Sequence, residues 1–333
     1  MSRPGTLKLA LKRGALVTAA NWQAVLVQFV ADTLFKTLLA VPIVGGVVLA
    51  VLLAGGDPAD LLRLEPTQVV QTMVSVLIAQ PLALVAFGGA LGLVLVGGSM
   101  LMCTVQAGTL TVLVAGERAA GTIEHPPLRL AALRRANAAS IERFMEGAQG
   151  LFSRYLRLAI SLWVVYSIVA AAYLTVVFAT PASLAVDWPL LVALSSIAVV
   201  IAVTLINFVY LLIQVVIAAE DCPVHAALPQ VATLLRRRPA DCAQVLAITL
   251  SLMVLSTAAS ILATAALGLI AFVPFVGLAA LPLQLIAWLV RGVVFQFVGL
   301  TGTVAYLRLH RTVTAPAVAM ETAGERTAPV RTS

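Results

Sequence analysis

Between Glu65 and Glu117 the chain runs for 51 residues without Asp, Glu, Lys or Arg, and Asp241 to Arg291 brackets a second such tract of 49. A helix on a soluble domain needs a charged face toward water, whereas about 20 apolar residues suffice to cross the hydrocarbon of a bilayer. Tracts of this length imply an integral α-helical membrane protein and exclude a soluble fold. Composition points the same way: 61% of residues are hydrophobic and 11% charged, against about 45–50% and about 25% in soluble domains.

The basic residues are segregated. Eighteen of the 21 Lys and Arg fall at the N-terminus (Arg3, Lys8, Lys12, Arg13), in 117–157, at Arg236, Arg237 and Arg238, and in the tail (Arg308, Arg311, Arg326, Arg331). Spans are expected near 28–54, 82–114, 156–180, 189–218, 244–272 and 280–306. The turns left on the other side carry Asp57, Asp60, Glu65 and Asp187 but only one basic residue, Arg63. The positive-inside rule then places both termini in the cytoplasm, with 312–333 as a disordered tail. The net charge of +7 is confined to the flanks of apolar segments, where it suits anionic lipid, and nucleic acid is not an expected partner. Cys103, Cys222 and Cys242 form no disulfide framework. No cleaved leader is expected, because a basic amphipathic segment precedes the first long apolar run.

The stretch 66–116 could cross twice by length, but that would invert every later loop against the charge bias. One crossing after Pro81 is expected, with 67–80 an interfacial or partly re-entrant helix. Gly88 and Gly92 form a GxxxG pair, which favours close packing within the chain over a dimer. Three segments have the 3.6-residue period of amphipathic surface helices: 6–18, 128–152 and 223–238. In the second, Leu133, Ile141, Phe144, Met145, Leu151 and Phe152 share a stripe. In the third, Val224, Leu228, Val231 and Leu235 share a face, and Pro229 implies a kink. Each surface helix precedes a helical hairpin, suggesting a threefold pseudo-repeat over 6–116, 127–219 and 223–307. The expected fold class is therefore all-α, a polytopic transmembrane bundle of six spans in a single membrane domain, 1–311.

The segment VVIAAEDCPVHAALPQVATLLRRRPADCAQVL, followed by VPFVGLAALPLQLI and VAYLRLHR, resembles the YciC-like group of bacterial six-span proteins, which includes the membrane domain fused to some glycerophosphodiester phosphodiesterases. The similarity is best over 214–311. Cys222, Pro223 and His225 stand where that group often has Gly and small residues, and Pro229 interrupts the helix. The resemblance implies six spans with surface helices and a largely uncharacterised function. No phosphodiesterase domain accompanies them, since no soluble stretch is large enough.

Charged groups within spans carry the sharpest expectations, because each costs roughly 2.5–3.5 kcal/mol at mid-helix. Asp32 and Lys36 are one turn apart and form an i,i+4 pair. Arg291 has about ten largely apolar residues on each side, so it should find an acceptor in the bundle. An Asp32–Arg291 contact is one possibility; backbone carbonyls, a water-filled cleft or a lipid phosphate are others. Gln284 and Gln296 on its helix, with Asn207 and Gln214 on the fourth span, could line a polar seam or serve as interhelical glue. Arg134, Arg135, Arg236, Arg237 and Arg238 are expected to contact lipid phosphates. No zinc motif, P-loop, nucleophile elbow or dinucleotide turn occurs, and no cofactor or metal is implied. The expectation is a non-enzymatic bacterial inner-membrane protein supporting membrane organisation or lipid and envelope processes, with anionic lipid, and a protein partner or a second copy, as the candidate partners. A transporter or permease subunit handling an anionic substrate around Arg291 is the rival.

Overall fold

The computed structural model describes residues 4–53, 55, 68, 75–76, 78–124, 130–179, 188–271 and 276–326, with side chains described over 7–53, 55, 68, 75–76, 78–124, 130–177, 190–268 and 282–314. Among these residues the chain is all helical: α1 (Pro4–Ala20), α2 (Trp22–Leu53), α3 (Pro81–Ala119), α4 (Leu130–Ala136), α5 (Ile141–Ala179), α6 (Trp188–Glu220), α7 (Val224–Arg237), α8 (Pro239–Ala271) and α9 (Val276–Arg326). The order is short, long, long, repeated three times, which matches the hairpin pseudo-repeat read from the sequence.

Among the described residues six helices are long and apolar enough to cross a membrane: Trp22–Leu53, Pro81–Ala119, Ile141–Val177, Leu190–Glu220, Pro239–Gly268 and Pro282–Thr314. Each contains most of one expected span, and each runs beyond it at the basic end. The extension is largest in α5, which starts at Ile141 rather than near 156, a gain of about 22 Å of helix. The helices do not stop where hydrophobicity stops, because their own i to i−4 bonds continue and neighbouring helices cover the added turns. Helix α9 runs into the expected tail as far as Arg326, and Val313 is buried. The expected interfacial helix 67–80 lies mostly outside the described residues.

The expected single surface helix over 128–152 is corrected. The chain breaks at 137–140 between α4 and α5. Asn137 Oδ1 accepts from the Ala139 amide at 3.2 Å, and Ser140 Oγ accepts from the Arg143 amide at 3.2 Å, capping α5. These side chains offer the backbone local bonds that compete with a continuous helix. Its proposed stripe splits accordingly: Leu151 is buried, while Ile141 is 83% exposed. In α7 the buried residues are Ala227, Val231 and Leu234, a face rotated from the one expected, and Leu228 points outward. The helix is continuous through Pro229.

Two compact units divide the chain: Met1–Val27 with Gln106–Ser333, and Gln28–Val105. In the larger unit α1 is not simply laid on lipid. It packs on α9 so closely that a Cβ added at Gly14 would lie 2.5 Å from the Thr301 carbonyl oxygen. Val17, Val25, Leu113, Ala120, Ile123, Ala136, Leu300 and Val304 form the core there. Asn21, fully buried between α1 and α2, donates through Nδ2 to the carbonyls of Val17 (2.9 Å) and Ala136 (2.8 Å) and accepts at Oδ1 from the Ala138 amide (2.8 Å). One amide thus ties the first helical junction to the second. Gly116 makes room for it, since a Cβ there would sit 2.7 Å from both Asn21 Nδ2 and the Ala136 oxygen.

In the smaller unit, Gly98 receives the ring of Phe35. Close packing within the chain therefore occurs at Gly98 and not at the GxxxG pair. A Cβ at Gly88, Gly89, Gly92 or Gly97 would meet nothing within 4 Å.

Candidate functional site

The basic ends of the three returning helices, α3, α6 and α9, converge in the larger unit. Beneath them Val114, Val215, Ala219 and Leu307 form a small apolar cluster. Above it the side chains are charged. Arg118 donates through Nη2 to the Ala219 carbonyl at 2.7 Å, tying α3 to the last turn of α6. Arg311 of α9 pairs with Glu117 of α3. His310 of α9 lies 3.2 Å from Glu220 of α6, and Arg154 of α5 pairs with Asp221.

Arg13 of α1 is the centre of this layer and is only 4% exposed. Its Nε donates to Glu117 Oε1 at 3.0 Å and its Nη1 to Glu124 Oε2 at 2.7 Å. Nη2 donates to the Glu117 carbonyl at 2.9 Å, and Nη1 also reaches the Gly121 carbonyl. Gly121 has φ +59°, a left-handed turn that glycine takes without a Cβ penalty and that brings its carbonyl to the guanidinium. Glu124 receives a further ion pair from Arg308 at 3.6 Å. Two buried carboxylates thus hold three arginines from the first and last helices. Burial is costly for any unpaired ion, so every member of such a network depends on the others. Burial alone would raise the Glu124 carboxyl, but its backbone hydrogen bond and the Arg13 and Arg308 guanidiniums outweigh that and hold it below the usual carboxylate range.

Just beneath the layer, Tyr155 donates to the Gln214 carbonyl at 2.9 Å, and Gln214 Nε2 donates to Gln106 Oε1 at 2.8 Å. Gln214 is therefore interhelical glue. Asn207, on the same helix, is exposed and accepts from the Tyr166 hydroxyl at 2.6 Å. The remaining seam residues, Gln284, Gln296 and Arg291, are half-buried on α9 and make no hydrogen bond or ion pair with the described residues. Asp32 belongs to the smaller unit and Arg291 to the larger; within its own unit Asp32 holds Lys36 Nζ at 2.6 Å, the i,i+4 pair expected. Arg134, Arg135, Arg236 and Arg237 are exposed, as lipid contact requires, whereas Arg238 is half-buried and 3.4 Å from Asp241.

The network of Arg13, Glu117, Glu124, Arg308 and Arg311 was missed in the sequence because its arginines already served as evidence of topology. A signal existed. VLVAGER and VVIAAED place Glu117 and Glu220 at the same point of successive repeats, and an acid at the end of a span in an otherwise basic segment asks for a partner.

Hollows lie among the described residues of this unit. One, about 230 Å³, is lined by Gln23, Ala24, Val27, Val112, Ser140 and Phe144 among others. Another, about 350 Å³, runs between α5 and α6 along Leu158, Leu162, Val165, Val209 and Ile213. A third, about 240 Å³, sits between α7 and α9. The first two are apolar and suit hydrocarbon. Among the described residues no group of three or more His, Cys, Asp or Glu side chains is close enough to hold a metal ion.

No family model, curated protein or solved structure matches this chain.

Proposed function

We propose that this protein acts without catalysis, as a lipid-engaging scaffold of a bacterial inner membrane that supports membrane organisation or lipid and envelope processes. The observation that carries this reading is the unequal packing of the helices. Arg13, Glu117, Glu124 and the junctions around Asn21 are tightly buried, yet no more than 22% of the most apolar window of any span is buried. Side chains such as Val165, Val200, Val254 and Ile286 are exposed along the spans. Apolar surface of that extent must be covered by acyl chains or by another apolar helix. In this reading the charged layer and both termini face the cytoplasm, and Arg134, Arg135, Arg236 and Arg237 meet anionic headgroups. The resemblance to the YciC-like group supports six spans with surface helices. Native mass spectrometry of the purified chain tests the function: retained phospholipid is expected, and a protein that came off free of both lipid and partner would defeat it.

A second reading, a transporter or permease subunit, is favoured by Arg291. A half-buried guanidinium in a span, with no acceptor among the described residues, calls for an anion, water or a lipid phosphate. Replacement by Leu separates the roles. Folded protein that has lost anion or lipid binding supports a site, while loss of folded protein supports a structural ion.

A further inference from the structure

We propose that the pocket between α7 and α9 binds a phosphate group, carried by an anionic lipid headgroup or free in solution. The lipid form of the proposal rests on the function proposed above. Pro229, Gln230, Thr233 and Arg237 line it from α7, and His310, Val313 and Thr314 from α9. Its volume of about 240 Å³ is roughly eight times the share of one liquid water, which leaves room for a phosphate and a few attached carbons.

Two donors of this pocket are uncommitted, as is the exposed Arg236 beside them. Arg237 is exposed and Gln230 half-buried, and neither makes a hydrogen bond or ion pair with the described residues. Arg13, Arg118, Arg154, Arg308 and Arg311 are all engaged by acceptors. His310 is almost fully buried, with one ring nitrogen at Glu220 Oε1. The hydroxyls of Thr233 and Thr314 already donate within their own helices, to the Pro229 carbonyl at 2.8 Å and the His310 carbonyl at 3.2 Å, so they are not counted among the donors. No carboxylate is among the lining residues named, and Glu220 reaches the site only through His310.

Position selects the ligand as strongly as charge does. Arg237 stands two residues before the span Pro239–Gly268, and His310 lies in the last turns of the span Pro282–Thr314. That is the depth at which lipid phosphates sit, and a planar guanidinium binds phosphate oxygens through paired N–H donors. The plainer alternative is that Arg237 faces water and offsets the dipole of α7 at its C-terminal end. Such a role needs no ligand and would not depend on Gln230.

The test uses the full-length chain in detergent, titrated with phosphatidylglycerol or phosphatidylcholine and read by native mass spectrometry, with inorganic phosphate as competitor. Arg237→Gln and Gln230→Leu are compared with Lys8→Gln, which removes an exposed charge elsewhere. Elution volume and melting temperature confirm that each variant is folded. The expected result is phosphatidylglycerol preferred over phosphatidylcholine, weakened about tenfold by Arg237→Gln, less by Gln230→Leu, and unchanged by Lys8→Gln. Displacement by millimolar phosphate would identify free phosphate as the ligand; its failure to compete would identify the lipid. Retention of phosphatidylglycerol by both pocket variants at wild-type strength overturns the pocket while leaving lipid engagement standing. A wild-type chain that binds neither lipid nor phosphate overturns both.

Discussion

Arg13 Nε and Glu117 Oε1 are separated by 104 residues of chain and by 3.0 Å in the fold. The contact joins the first helix to the end of the second span, and through Glu117 it reaches Arg311 near the end of the sixth. Removing Arg13 leaves two buried carboxylates short of their main partner. Arg13→Met is expected to destabilise the protein by about 3–5 kcal/mol, the usual cost of breaking a buried ion pair from one side. Asp221→Asn, at an exposed partner of Arg154, should cost less than about 1 kcal/mol. Denaturation of the two variants in the same detergent, followed by helical circular dichroism, compares them; equal losses would show that Arg13 is not central.

Two helical glycines should respond differently to the same substitution. Gly14→Ala forces a methyl against the Thr301 carbonyl of α9, whereas Gly92→Ala enters open space. The first should lower the melting temperature by several degrees and the second should leave it unchanged or raise it slightly, since alanine is the better helix former. A reversed order would mean that the GxxxG face, not the α1–α9 crossing, is the tight contact.

Stability should fall in acid through Glu124. Its carboxyl is held below the usual range when folded, so its contribution is complete above the unfolded value of about 4.3 and is lost as pH drops through the lower folded value. Melting temperature is therefore expected to decline below about pH 4.3, and Glu124→Gln should flatten that decline while lowering stability at neutral pH. An unchanged acid limb in the variant would assign the decline to other carboxylates.

Cys222 reports orientation. It is half-buried between α6 and α7, and burial, with Glu220 and Asp221 adding to it, pushes its thiol above the ordinary value. A membrane-impermeant maleimide should label it slowly at pH 7, faster by up to about tenfold per pH unit below its pKa, and only from the cytoplasmic face. Labelling in intact cells from outside would reverse the proposed topology.

The number of spans was legible because hydropathy and length are local properties, and α2, α3, α5, α6, α8 and α9 each satisfy them without reference to the others. The extra turns at their basic ends were not, since packing holds them: Leu151, Tyr155, Leu158 and Ala159 are all buried, and Tyr155 bonds to Gln214 on the next long helix. The break before Ile141 had its capping residues in view at Asn137 and Ser140, but the apolar stripe across it was a stronger local pattern than the helix could honour. Asn21 shows the limit most clearly. As a sequence letter it is one polar residue beside an apolar run, and two of its three side-chain hydrogen bonds go to Ala136 and Ala138, more than a hundred residues away.

The charged layer is also a clock on synthesis. Arg13 leaves the ribosome first, Glu117 and Glu124 follow, and Arg308 and Arg311 arrive only when the sixth span is nearly complete. Until then the two carboxylates lack the α9 arginines, and α1 lacks the surface around Thr301 on which Gly14 seats. A nascent chain that stalls within α9 therefore leaves bare the face of α1 around Gly14, and a membrane protease that recognises uncovered helix faces could tell a finished copy from an unfinished one there.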